Sequence, residues 1–168
     1  LRLLGWRVEG ELPNLPKMVL IGASHTSNVD ALYTFATLIG LGLRASTMIK
    51  DTAFRAPLGG LLRWLGAIPV DRKRAGGVIG QSIAAFQSNS RLVLLLAPEG
   101  TRHATAEFKA GFHRVAKGAE VPIVPAAIDY PRRRIIFGEP LTATDDLAAD
   151  TEILLAFYAR HAHPRHPD

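Results

Sequence analysis

No cysteine occurs in the 168-residue chain, which excludes both a disulfide framework and a thiolate nucleophile. That absence fits a reducing compartment. Long apolar runs are missing as well. The longest, Leu92-Val93-Leu94-Leu95-Leu96-Ala97, has the length of a buried strand and falls far short of the ~20 residues that span a bilayer. Aromatic residues make up only 7% of the chain. With no stacking stripe and no recognised docking motif, a nucleic-acid module is disfavoured. No internal repeat, low-complexity tract or linker divides the sequence, so one domain over residues 1–168 is expected.

Hydrophobic residues account for 48% of the chain, enough for a folded domain that buries roughly 70% of its unfolded surface. The net charge is +5, from 20 Lys and Arg against 15 Asp and Glu. The basic residues are spread along the whole chain. Such a balance favours an anionic partner, whether nucleic acid, acidic lipid or a phosphorylated substrate, without choosing among them. The chain opens on Leu1 rather than Met, so any targeting segment ahead of it is not readable.

Periodicity and turn residues predict strands at Met18–Ile21, Arg44–Lys50, Ala67–Val70, Leu92–Ala97, Val121–Ile128 and Arg134–Phe137. Helices are expected at about Val29–Leu41, Pro57–Gly66, Gly77–Ser88, Lys109–Gly118 and Asp145–His161. Gly118 and Thr144 serve as the expected caps of the last two. Residues 1–12 read as a short strand or an amphipathic start. Strands alternating with helices predict an α/β sandwich with a mostly parallel central sheet, and Tyr130–Phe137 an antiparallel hairpin at an edge. In Pro57–Gly66, Leu58, Leu61, Leu62 and Leu65 fall on one side. They are expected for the most part to pack on the core; the other reading has Trp64, Arg55 and Arg63 help the helix dip into lipid headgroups or line an acyl tunnel.

The stretch Val19-Leu20-Ile21-Gly22-Ala23-Ser24-His25-Thr26-Ser27-Asn28-Val29-Asp30 reads as strand, loop and helix start. It stands His25 just beyond the carboxyl end of a strand, where open α/β sheets place ligands. A carboxylate at Asp30, in the first helical turn, can fold back to hold one ring nitrogen protonated while the other accepts a proton. The same residues equally fit a loop histidine and an unrelated aspartate favouring the helix dipole. No Gly-x-Ser-x-Gly elbow surrounds Ser24 or Ser27, which argues against a serine nucleophile.

A second buried strand runs into Pro98-Glu99-Gly100-Thr101-Arg102. Pro98 stops strand pairing, Gly100 admits a ligand close to the backbone, and Arg102 offers a planar fork for phosphate or carboxylate. A chance Glu-Gly-Thr-Arg is expected on the order of once in a thousand such chains. A third strand exits at Asp71-Arg72, either a surface ion pair or a second phosphate clamp.

In this order the elements resemble the glycerolipid acyltransferases of the 1-acylglycerol-3-phosphate acyltransferase family. The first family motif, His-x-x-x-x-Asp, is matched by His25 to Asp30, and the second by Gly66 through Arg72. Lys50, Phe54, Pro57 and Gly59 resemble the Lys- and Pro-containing turn before it. The third motif is present in full as Glu99-Gly100-Thr101-Arg102. Phe108-Lys109-Ala110-Gly111 and Val121-Pro122-Ile123-Val124-Pro125-Ala126 resemble the segments that follow. The likeness covers about Pro16 to Ile128. Two departures stand out: Pro69 occupies a position often aromatic or aliphatic in the family, and no long N-terminal apolar helix of the kind by which many relatives hold the membrane is expected within residues 1–168.

What the resemblance implies is acyl transfer from an acyl thioester, of coenzyme A or acyl carrier protein, to a hydroxyl of a glycerophosphate or lysophospholipid-type acceptor. His25 would be the general base and Asp30 its orienting partner. Arg102 and Arg72, with Lys50, would hold the acceptor's phosphate, and Glu99, Gly100 and Thr101 would complete the acceptor site. No cofactor or metal is implied, the thioester being a co-substrate. The expected location is cytoplasmic, peripheral at the inner membrane surface, with Arg72-Lys73-Arg74 and Arg132-Arg133-Arg134 available to anionic lipid. A metal hydrolase would need a third ligand that the spacing does not supply. His161, His163 and His166 near the C-terminus read as a frayed end rather than a chelate. The alternatives are a silent acyl-lipid carrier and an acyltransferase for a non-glycerolipid alcohol.

Overall fold

Seven strands form one sheet in the computed structural model, which describes residues 5–22, 40, 42, 44–55, 57–71, 73, 76–98 and 108–163. They are β1 (Arg7–Glu9), β2 (Lys17–Gly22), β3 (Ala45–Lys50), β4 (Ala67–Val70), β5 (Leu92–Leu96), β6 (Ile123–Asp129) and β7 (Arg134–Phe137). Their order across the sheet is β1-β7-β6-β2-β5-β3-β4. The five strands β6, β2, β5, β3 and β4 are mutually parallel. The expected α/β architecture is the one observed.

The β6–β7 hairpin is antiparallel as predicted, but it does not end the sheet. β1 pairs parallel to β7 on its outer side. Arg134 fastens this edge, donating to Glu9 at 2.9 Å and to Asp129 at 2.8 Å. At the other edge, β4 pairs with β3 alone among the described residues and carries Pro69, exposed and without an N–H.

β2 is buried along nearly its whole length because it lies mid-sheet with both faces covered. Its side chains alternate. Val19 and Ile21 join Phe86, Phe112, Val115 and Leu154 in one core, while Met18 and Leu20 join Trp6, Leu95 and Val124 in the other. The first core is closed by α2 (Gly77–Ser88), α3 (Gly111–Ala119) and α4 (Leu147–His161). The expected helix at Val29–Leu41 lies outside the described residues apart from Gly40.

Three helix details differ from the sequence reading. α3 runs through Gly118 and ends on Glu120 in the left-handed region, at φ 53°. Gly118 lies inside the helix instead, where a Cβ would lie 2.5 Å from the end of the Ile83 side chain. α4 is capped by Asp146, which accepts from the Ala149 amide at 3.0 Å, rather than by Thr144. Thr144 turns its amide and hydroxyl onto Asp150. On α4, Leu154 and Tyr158 are buried as expected, whereas Ile153 is exposed.

The largest departure is α1 (Leu58–Trp64), which follows a 3-10 turn at Asp51–Phe54. The leucines do share a side, but most of that side faces away from the protein, with Leu62 alone of the four half-buried. Leu58, Leu61 and Leu65 are at least half exposed and Trp64 is 81% exposed. The buried residue of the helix is Gly59, where a Cβ would lie 2.1 Å from the Phe54 carbonyl oxygen. Backbone-to-backbone packing therefore fixes the helix's orientation. The helix ends at Gly66, φ +85°, whose amide donates to the Arg63 carbonyl at 2.9 Å.

Candidate functional site

Parallel pairing places four strand exits along one edge of the sheet. Leu20, Leu95, Thr47 and Ala67 form a continuous row across β2, β5, β3 and β4. With strands spaced by roughly 4.8 Å, the whole row measures about 14 Å. Along the sequence from this row, His25 and Asp30 are five and ten residues on, and Glu99 to Arg102 four to seven. Lys50 is three residues on, and Arg72 five. The segments carrying His25 and Asp30, Lys50, Arg72 and Glu99–Arg102 thus depart from one side of the sheet, where open α/β sheets build their sites.

Lys50 is described: it ends β3, is exposed, and pairs in register with Val70. His25, Asp30, Arg72, Glu99, Gly100, Thr101 and Arg102 lie outside the described residues. The points from which their segments depart are well anchored. Where β4 exits, the Asp71 amide donates to Gln81 Oε1 at 3.1 Å, and Gln81 Nε2 donates back to the Asp71 carbonyl at 2.7 Å. The Asp71 carboxylate accepts from the Lys73 amide at 2.8 Å. Asp71 thus has a backbone role.

The segment carrying Glu99 to Arg102 is closed at its base. The Lys109 amide donates to the Pro98 carbonyl at 2.8 Å. Phe108 at that base meets Tyr158 edge-on, with ring centroids 5.7 Å apart. Tyr158 Oη in turn donates to the Ile21 carbonyl at 2.8 Å, one residue before β2 ends. One buried tyrosine therefore touches the roots of both segments. From the sequence it was readable only as an apolar position of α4, because nothing local signals a bond to a residue 137 positions away.

Two buried carboxylates are engaged in structural contacts of their own. Asp150 accepts from the Thr144 amide at 2.6 Å and sits 2.8 Å from His113 Nε2, tying α3 to α4. Burial pushes its carboxyl up, but the Thr144 amide, the His113 ring and the Thr144 hydroxyl together hold it below the ordinary carboxylate value. At the end of β6, burial raises Asp129 and is likewise outweighed, by Arg134 and by the amide and guanidinium of Arg132. His163, read from sequence as part of a frayed end, is docked: its amide donates to the Ile128 carbonyl at 3.1 Å. His166 lies outside the described residues. Among the described residues no group of three His, Cys, Asp or Glu could hold a metal ion, and no helix is long and apolar enough to cross a membrane.

Comparison with known proteins adds three findings. A family model described as "Acyltransferase" matches residues 7–129. A Mycoplasma pneumoniae protein described as "Probable 1-acyl-sn-glycerol-3-phosphate acyltransferase" is 32% identical over an alignment of 130 residues that covers 68% of this chain and 46% of that protein. The chain therefore spans about half the length of this curated relative. The crystal structure of the 1-acyl-sn-glycerophosphate (LPA) acyltransferase PlsC from Thermotoga maritima shares the fold, with a TM-score of 0.62 at 17% identity. It covers 95% of this chain and 73% of that one.

Proposed function

Because the chain belongs to the acyltransferase family, we propose that it transfers a fatty acyl group from a thioester of coenzyme A or acyl carrier protein to a hydroxyl of a glycerophosphate or lysophospholipid-type acceptor. The observation that carries this reading is the single row of strand exits Leu20, Leu95, Thr47 and Ala67. It brings the departure points of the His25, Glu99–Arg102, Lys50 and Arg72 segments to one edge. Two further facts support the acceptor class: the basic balance of the chain, and the description carried by the Mycoplasma relative.

In this reading His25 accepts the acceptor hydroxyl's proton as its oxygen attacks the thioester carbonyl carbon. Asp30 orients the ring and stabilises the imidazolium. The tetrahedral adduct collapses by breaking the carbon–sulfur bond, and the leaving thiolate recovers the proton from His25. Products are an acyl ester and a free thiol. No covalent acyl-enzyme forms, since the nucleophile belongs to the substrate. Arg102, Arg72 and Lys50 bind the acceptor's phosphate, with Arg suited to bidentate contact. Glu99, Gly100 and Thr101 shape the loop that holds it. The protein works peripherally at the cytoplasmic membrane surface, where such acceptors reside.

The test is thiol release from acyl-coenzyme A and acyl carrier protein against lysophospholipids, glycerol 3-phosphate and simple alcohols. Acceptor-dependent thiol release with ester formation is expected for the phosphate-bearing acceptors. Binding of acyl thioester without thiol release would identify a silent carrier instead. Equal rates with phosphate-free alcohols would overturn the acceptor assignment.

A further inference from the structure

Acyl transfer by the route above asks two segments to agree in register. The acceptor's phosphate and its hydroxyl belong to one small molecule, so a clamp at Arg102 and a base at His25 must stand a fixed distance apart. An offset of about one ångström costs about 10²-fold in rate. The two groups belong to different segments, His25 four residues after Ile21 and Arg102 six residues before Phe108. Tyr158 contacts both of these flanking residues. Its Oη donates to the Ile21 carbonyl at 2.8 Å, and its ring meets the Phe108 ring with centroids 5.7 Å apart and planes 80° to each other.

A strut sets a distance only where it is itself fixed. α4 is tied near its start, where Asp150 sits 2.8 Å from His113 of α3. Just past its end, the His163 amide donates to the Ile128 carbonyl and the Tyr130 amide to the His163 carbonyl, each at 3.1 Å. Between these ties Tyr158 is buried. Phe108 in turn pairs edge-on with Phe112 of α3, centroids 6.1 Å apart. Packing alone would be served by a phenylalanine at position 158. The hydroxyl adds a directional hold on β2: among the described residues it makes the last side-chain hydrogen bond to that strand before the His25 segment begins.

We infer that Tyr158 is a positioning residue, a strut between the His25 segment and the Glu99–Arg102 segment that sets the register of base against phosphate clamp. The inference rests on the acyl-transfer reading for the roles of His25 and Arg102, but not for the link between their segments. Tyr158 touches no substrate in this account. It acts through Ile21 on one side and Phe108 on the other, so either broken link loses the register.

The experiment measures acyl transfer to a lysophospholipid and to a phosphate-free alcohol by wild type, Tyr158→Phe, Phe108→Leu and the double variant. Each single variant should lower kcat for the lysophospholipid about tenfold, the effect of an offset near half an ångström, with the acceptor KM within about twofold. Transfer to the alcohol, which spans no clamp, should change less than about twofold. The double variant should fall no further than the single ones, whereas independent damage would multiply. Ile135→Val, buried in the other core, loses comparable stability without contact to either root and should leave the ratio between acceptors unchanged. An unchanged kcat, a raised KM alone, equal falls with both acceptors, or multiplying losses overturns the proposal. Wild-type protein that transfers to no acceptor removes the acyl-transfer reading instead, and amide hydrogen exchange then decides the strut. Phe108→Leu should speed exchange in the peptide covering residues 21–30, and Tyr158→Phe should abolish that response. A peptide indifferent to Phe108→Leu overturns the strut whichever way the assays fall.

Discussion

Tyr158 Oη donates a hydrogen bond to the Ile21 carbonyl at 2.8 Å, while its ring forms a T-shaped pair with Phe108, centroids 5.7 Å apart. The C-terminal helix thereby holds the root of the His25 segment and the root of the Glu99–Arg102 segment together. Tyr158→Phe keeps the ring contact and loses the hydrogen bond, at a cost of about 1 kcal/mol. Tyr158→Ala also empties the ring's place in the core and should cost about 3–5 kcal/mol. Thermal unfolding of the two variants checks the ratio. Equal losses would mean the ring contributes nothing beyond its hydroxyl.

His25→Ala should lower acyl transfer by about 10²–10⁴-fold, the usual contribution of a positioned base. The melting temperature should stay within about a degree of the wild type if His25 serves the chemistry rather than the fold. Thiol release and thermal scanning, run on the same preparation, provide the check. Full activity in this variant would remove the base assignment.

Arg102→Lys and Arg72→Lys keep the charge but lose the planar fork. Each should raise KM for phosphate-bearing acceptors roughly tenfold, from the loss of about 1.4 kcal/mol of charge-assisted bonding. Rates with a phosphate-free alcohol should be unaffected. A uniform fall with both acceptors would place these residues in loop folding rather than phosphate recognition.

Gly59→Ala should destabilise the protein, although glycine-to-alanine inside a helix ordinarily gains roughly 0.5–1 kcal/mol. The added Cβ would lie 2.1 Å from the Phe54 carbonyl oxygen, so backbone must move. Denaturant unfolding gives the sign directly. An unchanged or raised midpoint would show that α1 can shift outward at little cost.

Acid should weaken the fold through Asp150 and Asp129. Both carboxyls titrate below their ordinary value in the folded protein. A depressed folded pKa contributes stability that is present above the unfolded value, near 3.9, and is lost as pH falls through the folded one. Stability should therefore drop below about pH 4. Asp150→Ala should flatten part of that drop and cost about 3 kcal/mol at neutral pH, by stranding His113 and the Thr144 amide. Urea midpoints across a pH series measure both. A variant with the wild-type acid profile would exclude Asp150 from the linkage.

The local part of this protein was legible in its residues. A continuous apolar run such as Leu92–Leu96, or β2 with its buried alternation, needs only neighbours along the chain to declare itself. Motif spacing and strand-ending residues likewise pointed to the strand exits. Contacts between distant segments were not legible. That β1 pairs outside β7, that Asp146 rather than Thr144 caps α4, and that Tyr158 reaches Ile21 all depend on which surfaces meet in space. The leucines of α1 show the division most sharply. Their spacing fixed that they share a side, because 3.6 residues per turn is a local property of the backbone. Which way that side faces was decided by Gly59 against the Phe54 carbonyl, a contact that exists only once the chain has folded.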